Sequence, residues 1–292
     1  MISCLENKAI DKPKWDALIA ECGNIYAYSW YLDIVHPGWD ALVDDNYQAV
    51  MPLTGGKKFG VNYLFQPFFV QQLGVFSKTP MTEWKLKDFL DAIPEKYRFC
   101  ELRLNESNTL DNDIEGFDYH RNILLDLNQD IQSLRANYHQ NTKRNLAKAE
   151  THNLHLLETV QPQQVVEYGV LLRLVEEAEK HDAAFVLGVT DQEGGDPLCA
   201  AIFMQTNDRI TFLFSGLNEE GKQCQAMTYL IDQVIQRHAK QPITFDFEGS
   251  DNDNLARFYL GFGGREVRYP GYTFNRMSPI GKALLKVWKR RK

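Results

Sequence analysis

Two carboxylates, Asp246 and Glu248, stand two residues apart in the stretch Ile243-Thr-Phe-Asp-Phe-Glu-Gly-Ser250. A period of two sets Ile243, Phe245 and Phe247 on one face of a strand and Thr244, Asp246 and Glu248 on the other. Gly249, Ser250 and Asp251 then break the strand and offer capping side chains to a short helix, whose end Gly261, Gly263 and Gly264 mark. Open α/β sheets bind ligands beyond the carboxyl ends of their strands, so acids delivered there are placed to build a site whose chemistry is proton transfer. The same residues also suit the solvated face of an edge strand, with Asp251 no more than a cap. On the residues alone both readings stand.

The elements that must position these acids come from a chain of 292 residues, about twice a usual domain, which predicts two domains with a core each. Hydrophobic residues make up 44% and charged residues 24%, a globular composition that excludes a disordered chain. A net charge of -7 argues against DNA as a partner over the whole surface. The first residues carry charges where a signal peptide has its apolar run, and no uncharged stretch is long enough for a membrane span, so the expectation is a cytoplasmic protein. Five scattered cysteines without a CxxC predict reduced thiols and no metal knuckle.

Periodicity predicts helices over residues 14–21, 28–35 and 83–92, strands over 41–43, 48–53, 97–104 and 118–127, and a bent or edge strand over 63–74, where Pro67 interrupts an aromatic run. Residues 130–150 have helical spacing, with Arg135, His139, Lys143, Arg144 and Lys148 outside the apolar set. This basic helix is either a solvated connector or a place for a phosphate-bearing ligand. In the second half, residues 165–180 and the segment from Met227 to His238 read as helices. Residues 184–189 and 198–204 read as a hairpin, 209–215 as a strand, and 267–277 as a closing strand or hairpin about Pro270-Gly271. The tail, residues 278–292, has Ile280, Leu284, Leu285 and Trp288 on one side of a helix and six basic residues elsewhere.

The element order of the second half resembles the GNAT N-acyltransferase fold. Asp246-Phe-Glu-Gly-Ser250, Phe258-Tyr-Leu-Gly-Phe-Gly263 and Tyr269-Pro-Gly-Tyr272 together resemble the carboxy-terminal signature of the Fem-type peptidyltransferases and related tandem-GNAT proteins. Ser29-Trp30-Tyr31, Met51-Pro52-Leu53, Gln66-Pro67 and Gln71-Gln72-Leu73-Gly74 are similar to the amino-terminal half of that group, and residues 141–149 to its basic helix. The resemblance implies an α/β (α+β) fold of two GNAT-like domains, each a mixed, mostly antiparallel sheet flanked by helices. Its parts would be residues 1–127, a connecting helix 128–150, a catalytic half 151–277 and a terminal helix 278–292.

It further implies an N-acyltransferase that moves an acyl or aminoacyl group from a thioester or tRNA-type carrier to a small-molecule or peptide amine, with no permanently bound cofactor and acyl-CoA as co-substrate. Glu248 or Asp246 would be the base, and Tyr259 would protonate the leaving group. Ser215 and Gly216 would present backbone N–H groups to the carbonyl. Coenzyme A users have a Gln/Arg-x-x-Gly-x-Gly/Ala turn after this strand. Here the junction reads Gly216-Leu-Asn-Glu-Glu-Gly-Lys-Gln-Cys-Gln-Ala226, leaving Gly221, Lys222 and Ala226 for the phosphates, beside Glu219 and Glu220. Lys143, Arg144, Arg257 and Tyr272 complete the expected substrate-binding set, with an acyl carrier or aminoacyl-tRNA as partner. The missing turn motivates an alternative, an idle tandem-GNAT scaffold that binds a sugar, a peptide or a carrier-borne intermediate. A nucleic-acid-binding module, resting on the basic helix and tail, is a third.

Overall fold

Amphipathic segments too short to bury their own apolar faces must pack as layers, and here they do so in two compact units, residues 1–120 with 269–292, and residues 121–268. The structure, a computed structural model, describes residues 1–110, 116–158, 160–165, 168–192, 194–279 and 281–282. Most of the tail expected to form a helix over 278–292 lies outside the described residues.

In chain order the first unit contains β1 (Ser3–Leu5), α1 (Lys12–Cys22), α2 (Ser29–Val35), β2 (Asp40–Val43), β3 (Ala49–Leu53), β4 (Gly55–Lys58), β5 (Val61–Phe65), β6 (Phe76–Ser77), α3 (Glu83–Asp91) and β7 (Tyr97–Arg103). The next strand, β8 (Phe117–Asp126), carries the chain into the second unit. There follow α4 (Ile131–Ala136), α5 (Gln140–Glu150), β9 (His155–Leu157), α6 (Gly169–Lys180), β10 (Ala184–Thr190), β11 (Cys199–Gln205) and β12 (Arg209–Leu217). After them come α7 (Glu219–Cys224), α8 (Ala226–His238), β13 (Thr244–Asp246), α9 (Asp253–Leu260) and β14 (Arg265–Asn275), which returns the chain to the first unit.

In the first unit β1, β2, β3 and β6 form an antiparallel sheet in that order. A second set of strands orders β4-β5-β7-β14, with β5 and β7 parallel. Between them lies a core that includes Leu53, Leu64, Phe89, Cys100 and Leu102. Asp11 caps α1 by accepting the Lys14 N–H, and Gly23 ends it at φ 66°, a left-handed turn that suits glycine.

In the second unit the strand order is β8-β13-β12-β11-β10-β9, antiparallel except for β12 with β13. The α8 helix buries Leu230, Ile231, Val234 and Ile235 against the sheet residues Ala201, Phe203, Ile210 and Phe245. Both units are therefore α/β, mixed and mostly antiparallel, as the element order implies.

Several local expectations need correction. Residues 63–74 do not form an edge strand: β5 ends at Phe65, before Pro67, and has partners on both sides, while residues 66–75 form a loop. The helix expected over 130–150 breaks at residues 137–139, because the His139 N–H donates to the Gly261 carbonyl (2.8 Å). Pro270-Gly271 makes no hairpin; β14 runs through both, and the Pro270 carbonyl accepts the Leu104 N–H (2.7 Å). A Cβ on Gly271 would meet Asp118 Oδ1 at 2.2 Å, so a larger residue there would have to displace the Asp118 side chain.

Candidate functional site in the second unit

The β12 and β13 strands run parallel but share only three register pairs, Arg209 with Thr244, Ile210 with Phe245 and Thr211 with Asp246. After Asp246 the chain turns away and β12 continues alone to Leu217. On its other side β12 stays paired with β11 throughout, Ala201 opposite Ser215 and Ala200 opposite Gly216. A strand alternates the side to which its N–H and C=O groups point, so part of the backbone beyond Thr211 points to where β13 has left.

A bulge lies at the point of divergence. Phe203 opposes Phe212 while Ile202 opposes Phe214, so Leu213 is the extra residue. A bulge increases local twist and reverses the side-chain alternation. Ile210 and Phe212 face the α8 core before it; beyond it Ser215 shares the face of core residue Ala201, and Phe214 turns to the other face, edge-on to Tyr168 at 6.3 Å.

The β13 strand is interior, which removes the edge-strand reading of its acids. Asp246 is 1% exposed: Arg209 Nη1 donates to one of its oxygens (3.0 Å) and the Glu248 N–H to the other (2.8 Å). The two acids do not share an environment, because the strand ends at Asp246 and Glu248 takes a left-handed backbone, φ 58°, with its side chain half-buried. Gly249 follows at φ 47°. A Cβ there would lie 2.4 Å from both the Arg121 carbonyl oxygen and Asn122 Cα, so this turn presses onto β8. A left-handed glutamate is costly whereas the glycine after it is not, and such strain concentrates at functional turns.

Tyr259 is held on α9, its ring against Phe247 (5.1 Å) and Phe212 (6.1 Å). Its hydroxyl makes no hydrogen bond among the described residues. Burial first, and then the nearby Glu248 carboxylate, push the phenol well above its ordinary range, so it is held protonated. Glu248 and Tyr259 thus lie beside the point where β12 and β13 part, next to the buried Asp246.

The residues expected to take up phosphate are arranged differently. Asn218 caps α7 by accepting the Gly221 N–H (2.7 Å), and a Cβ at Gly221 would lie 2.4 Å from the Leu198 carbonyl oxygen. Lys222 pairs with Glu219, and Ala226 is wholly buried. The Gly221 N–H is therefore already taken by a side chain of its own segment, and the Lys222 ammonium by an acid. Cys224 is buried and burial raises its thiol, which fits no nucleophile.

Lys143 donates to the Ala136 carbonyl (2.7 Å) and Arg144 to Asn141, both on the exposed face of α5. Arg257 is exposed on α9; Asp253, its plausible partner by spacing, pairs instead with Arg121 (2.9 Å). Tyr272 lies in the first unit, on β14 against Phe117 (4.9 Å). Sequence reasoning misses Arg209, Arg121 and Asn122. Asn122 is fully buried below Gly249, and its Nδ2 has no partner among the described residues. No signal marks them, since their roles depend on which strand lies beside which.

No family model matches the chain, and no curated protein does. Solved structures do. FemX superposes with a TM-score of 0.65 over 94% of this chain and 98% of its own, at 11% identity. A conserved protein of unknown function from Bacteroides thetaiotaomicron VPI-5482 gives 0.55 over 94% and 100%, at 12% identity. L-PGS from Bacillus licheniformis gives 0.52 over 94% and 96%, at 14% identity. The fold is that of tandem GNAT-like proteins of the Fem type.

Proposed function

We propose that the second unit transfers an acyl or aminoacyl group directly from a thioester or a tRNA-type ester to an amine. The observation that carries this reading is the parting of β12 from β13 with Glu248 and Tyr259 beside it. In the step, the amine nitrogen attacks the carbonyl carbon and gives its proton to Glu248. The oxyanion receives N–H groups near Ser215 and Gly216 from the side of β12 that β13 has left. Collapse of the intermediate breaks the bond to sulfur or oxygen, and the Tyr259 phenol protonates the departing group. Arg257, Lys143 and Arg144 supply exposed cations for anionic parts of donor or acceptor.

Thermal stability with acetyl-coenzyme A, desulfo-coenzyme A and a charged aminoacyl-tRNA tests the reading, because a ligand that binds only the folded chain raises Tm. A shift with the coenzyme A compounds selects a thioester donor, and one with charged tRNA alone selects the ester. Glu248→Gln and Tyr259→Phe should then keep the ligand-induced shift and lose turnover; full turnover in both variants would remove these roles.

One observation favours a second reading. With the Gly221 N–H and Lys222 engaged within their own segment and Ala226 buried, the chain suits a scaffold that binds a carrier-borne intermediate without reacting. Absence of a shift with all three compounds would support it.

A further inference from the structure

The β4–β5 hairpin ends in a turn of two left-handed residues, Phe59 (φ 50°) and Gly60 (φ 79°), a geometry that matches strand twist and leaves the tip side chain outside the sheet. Phe59 is 90% exposed, and among the described residues only the Lys58 ammonium, 5.7 Å from its centroid, lies over the ring. Lys57 and Lys58 are exposed beside it.

Register extends this cationic end. Lys57 opposes Asn62, Asn62 opposes Tyr97 between Lys96 and Arg98, and Phe99 opposes Asn275, which precedes Arg276. The Arg276 N–H donates to the Arg98 carbonyl (2.8 Å). At about 4.8 Å per strand, these cations lie along about 15 Å of one sheet end. The acids nearby include Asp40, which pairs with Lys96 at 3.2 Å, Glu6, which like both of these acts on Cys4, and the exposed Asp91 and Glu95. The chain leaves this end through Arg276.

We propose that this end of the first unit docks on an anionic phospholipid bilayer. Charge complementarity selects an anionic partner. The exposed ring at the tip selects a surface with an apolar layer beneath its charge, as an interfacial aromatic flanked by lysines requires. A chain of net charge -7 also disfavours a polyanion long enough to run past the patch, whereas a bilayer touches the patch alone.

Flotation of the full-length protein with vesicles of phosphatidylcholine alone, and of phosphatidylcholine with phosphatidylglycerol, tests this. The protein should float with the mixed vesicles only, and added salt should release it. The double variant Lys57→Glu, Lys58→Glu should weaken partitioning about thirtyfold or more, and Phe59→Ser should weaken it while leaving the salt dependence intact. Unchanged Tm in both variants would show that the fold is not the cause. Equal flotation with neutral vesicles, no flotation at all, or undiminished flotation of the lysine variant would overturn the proposal. So would binding of RNA, without vesicle binding, that the same variant abolishes.

Discussion

Arg209 and Asp246 form an ion pair across the only stretch where β12 and β13 are joined, with Nη1 3.0 Å from Oδ2 and the carboxylate 1% exposed. The other oxygen of Asp246 holds the Glu248 N–H, so one buried charge both closes the sheet and fixes the turn that carries Glu248. Removing one partner of a buried pair strands the other. Asp246→Ala should therefore lose about 3 kcal/mol of stability in urea titration.

A second buried carboxylate anchors the start of the unit. Asp232, on α8, is fully buried and accepts from Arg135 Nε (2.9 Å) and the Tyr138 hydroxyl (3.1 Å). Denaturant midpoints should place Tyr138→Phe about 1 kcal/mol below the parent. Asp232→Leu should fall about 3 kcal/mol below it, since Arg135 would lose its carboxylate partner and keep, among the described residues, the hydrogen bond to Gln236.

The turn after β13 sets stability against chemistry. Glu248→Gly relieves a left-handed side-chain-bearing residue and should gain about 1 kcal/mol while abolishing transfer. Its neighbour should respond in the opposite sense. Gly249→Ala places a methyl group 2.4 Å from backbone atoms of β8 and should cost about 3 kcal/mol, read from the same unfolding curves.

His36 gives a pH dependence. Burial holds it neutral in the folded chain, so its folded pKa lies below 6.5, although the Gly55 carbonyl (2.9 Å) and Asp40 pull the other way. As pH falls through about 6.5 the unfolded chain binds the proton first, so this contribution is full above that value and is lost as pH approaches the folded pKa. His238 shifts in the same direction. Urea midpoints measured from pH about 7 down to about 5 should fall less steeply for His36→Asn than for the parent.

Much of this is legible in the residues. The β10–β11 hairpin follows from its two apolar runs, and its register, Ala184 opposite Met204 to Val189 opposite Cys199, needs no distant partner. The order of short motifs is enough to indicate tandem GNAT-like units. What the residues do not show is pairing between distant strands. Arg209 is an ordinary charged residue until β13 lies beside it, and Leu213 is an ordinary core leucine until the register on either side of it is known. The break at residues 137–139 is hidden because helical spacing continues across it, while the competing acceptor, Gly261, lies far along the chain.

The parting of β12 from β13 also has a consequence in time. The amides of residues 213–217 belong to an inner strand, yet those turned to the vacated side have no ladder partner there among the described residues. They should trade their protons for deuterons far sooner than Ile210, which sits where the two strands still pair, even though all of them lie within one continuous stretch of sheet. Any donor or acceptor that occupies the gap should slow that exchange, so an isotope clock in this strand would report occupancy before any product is known.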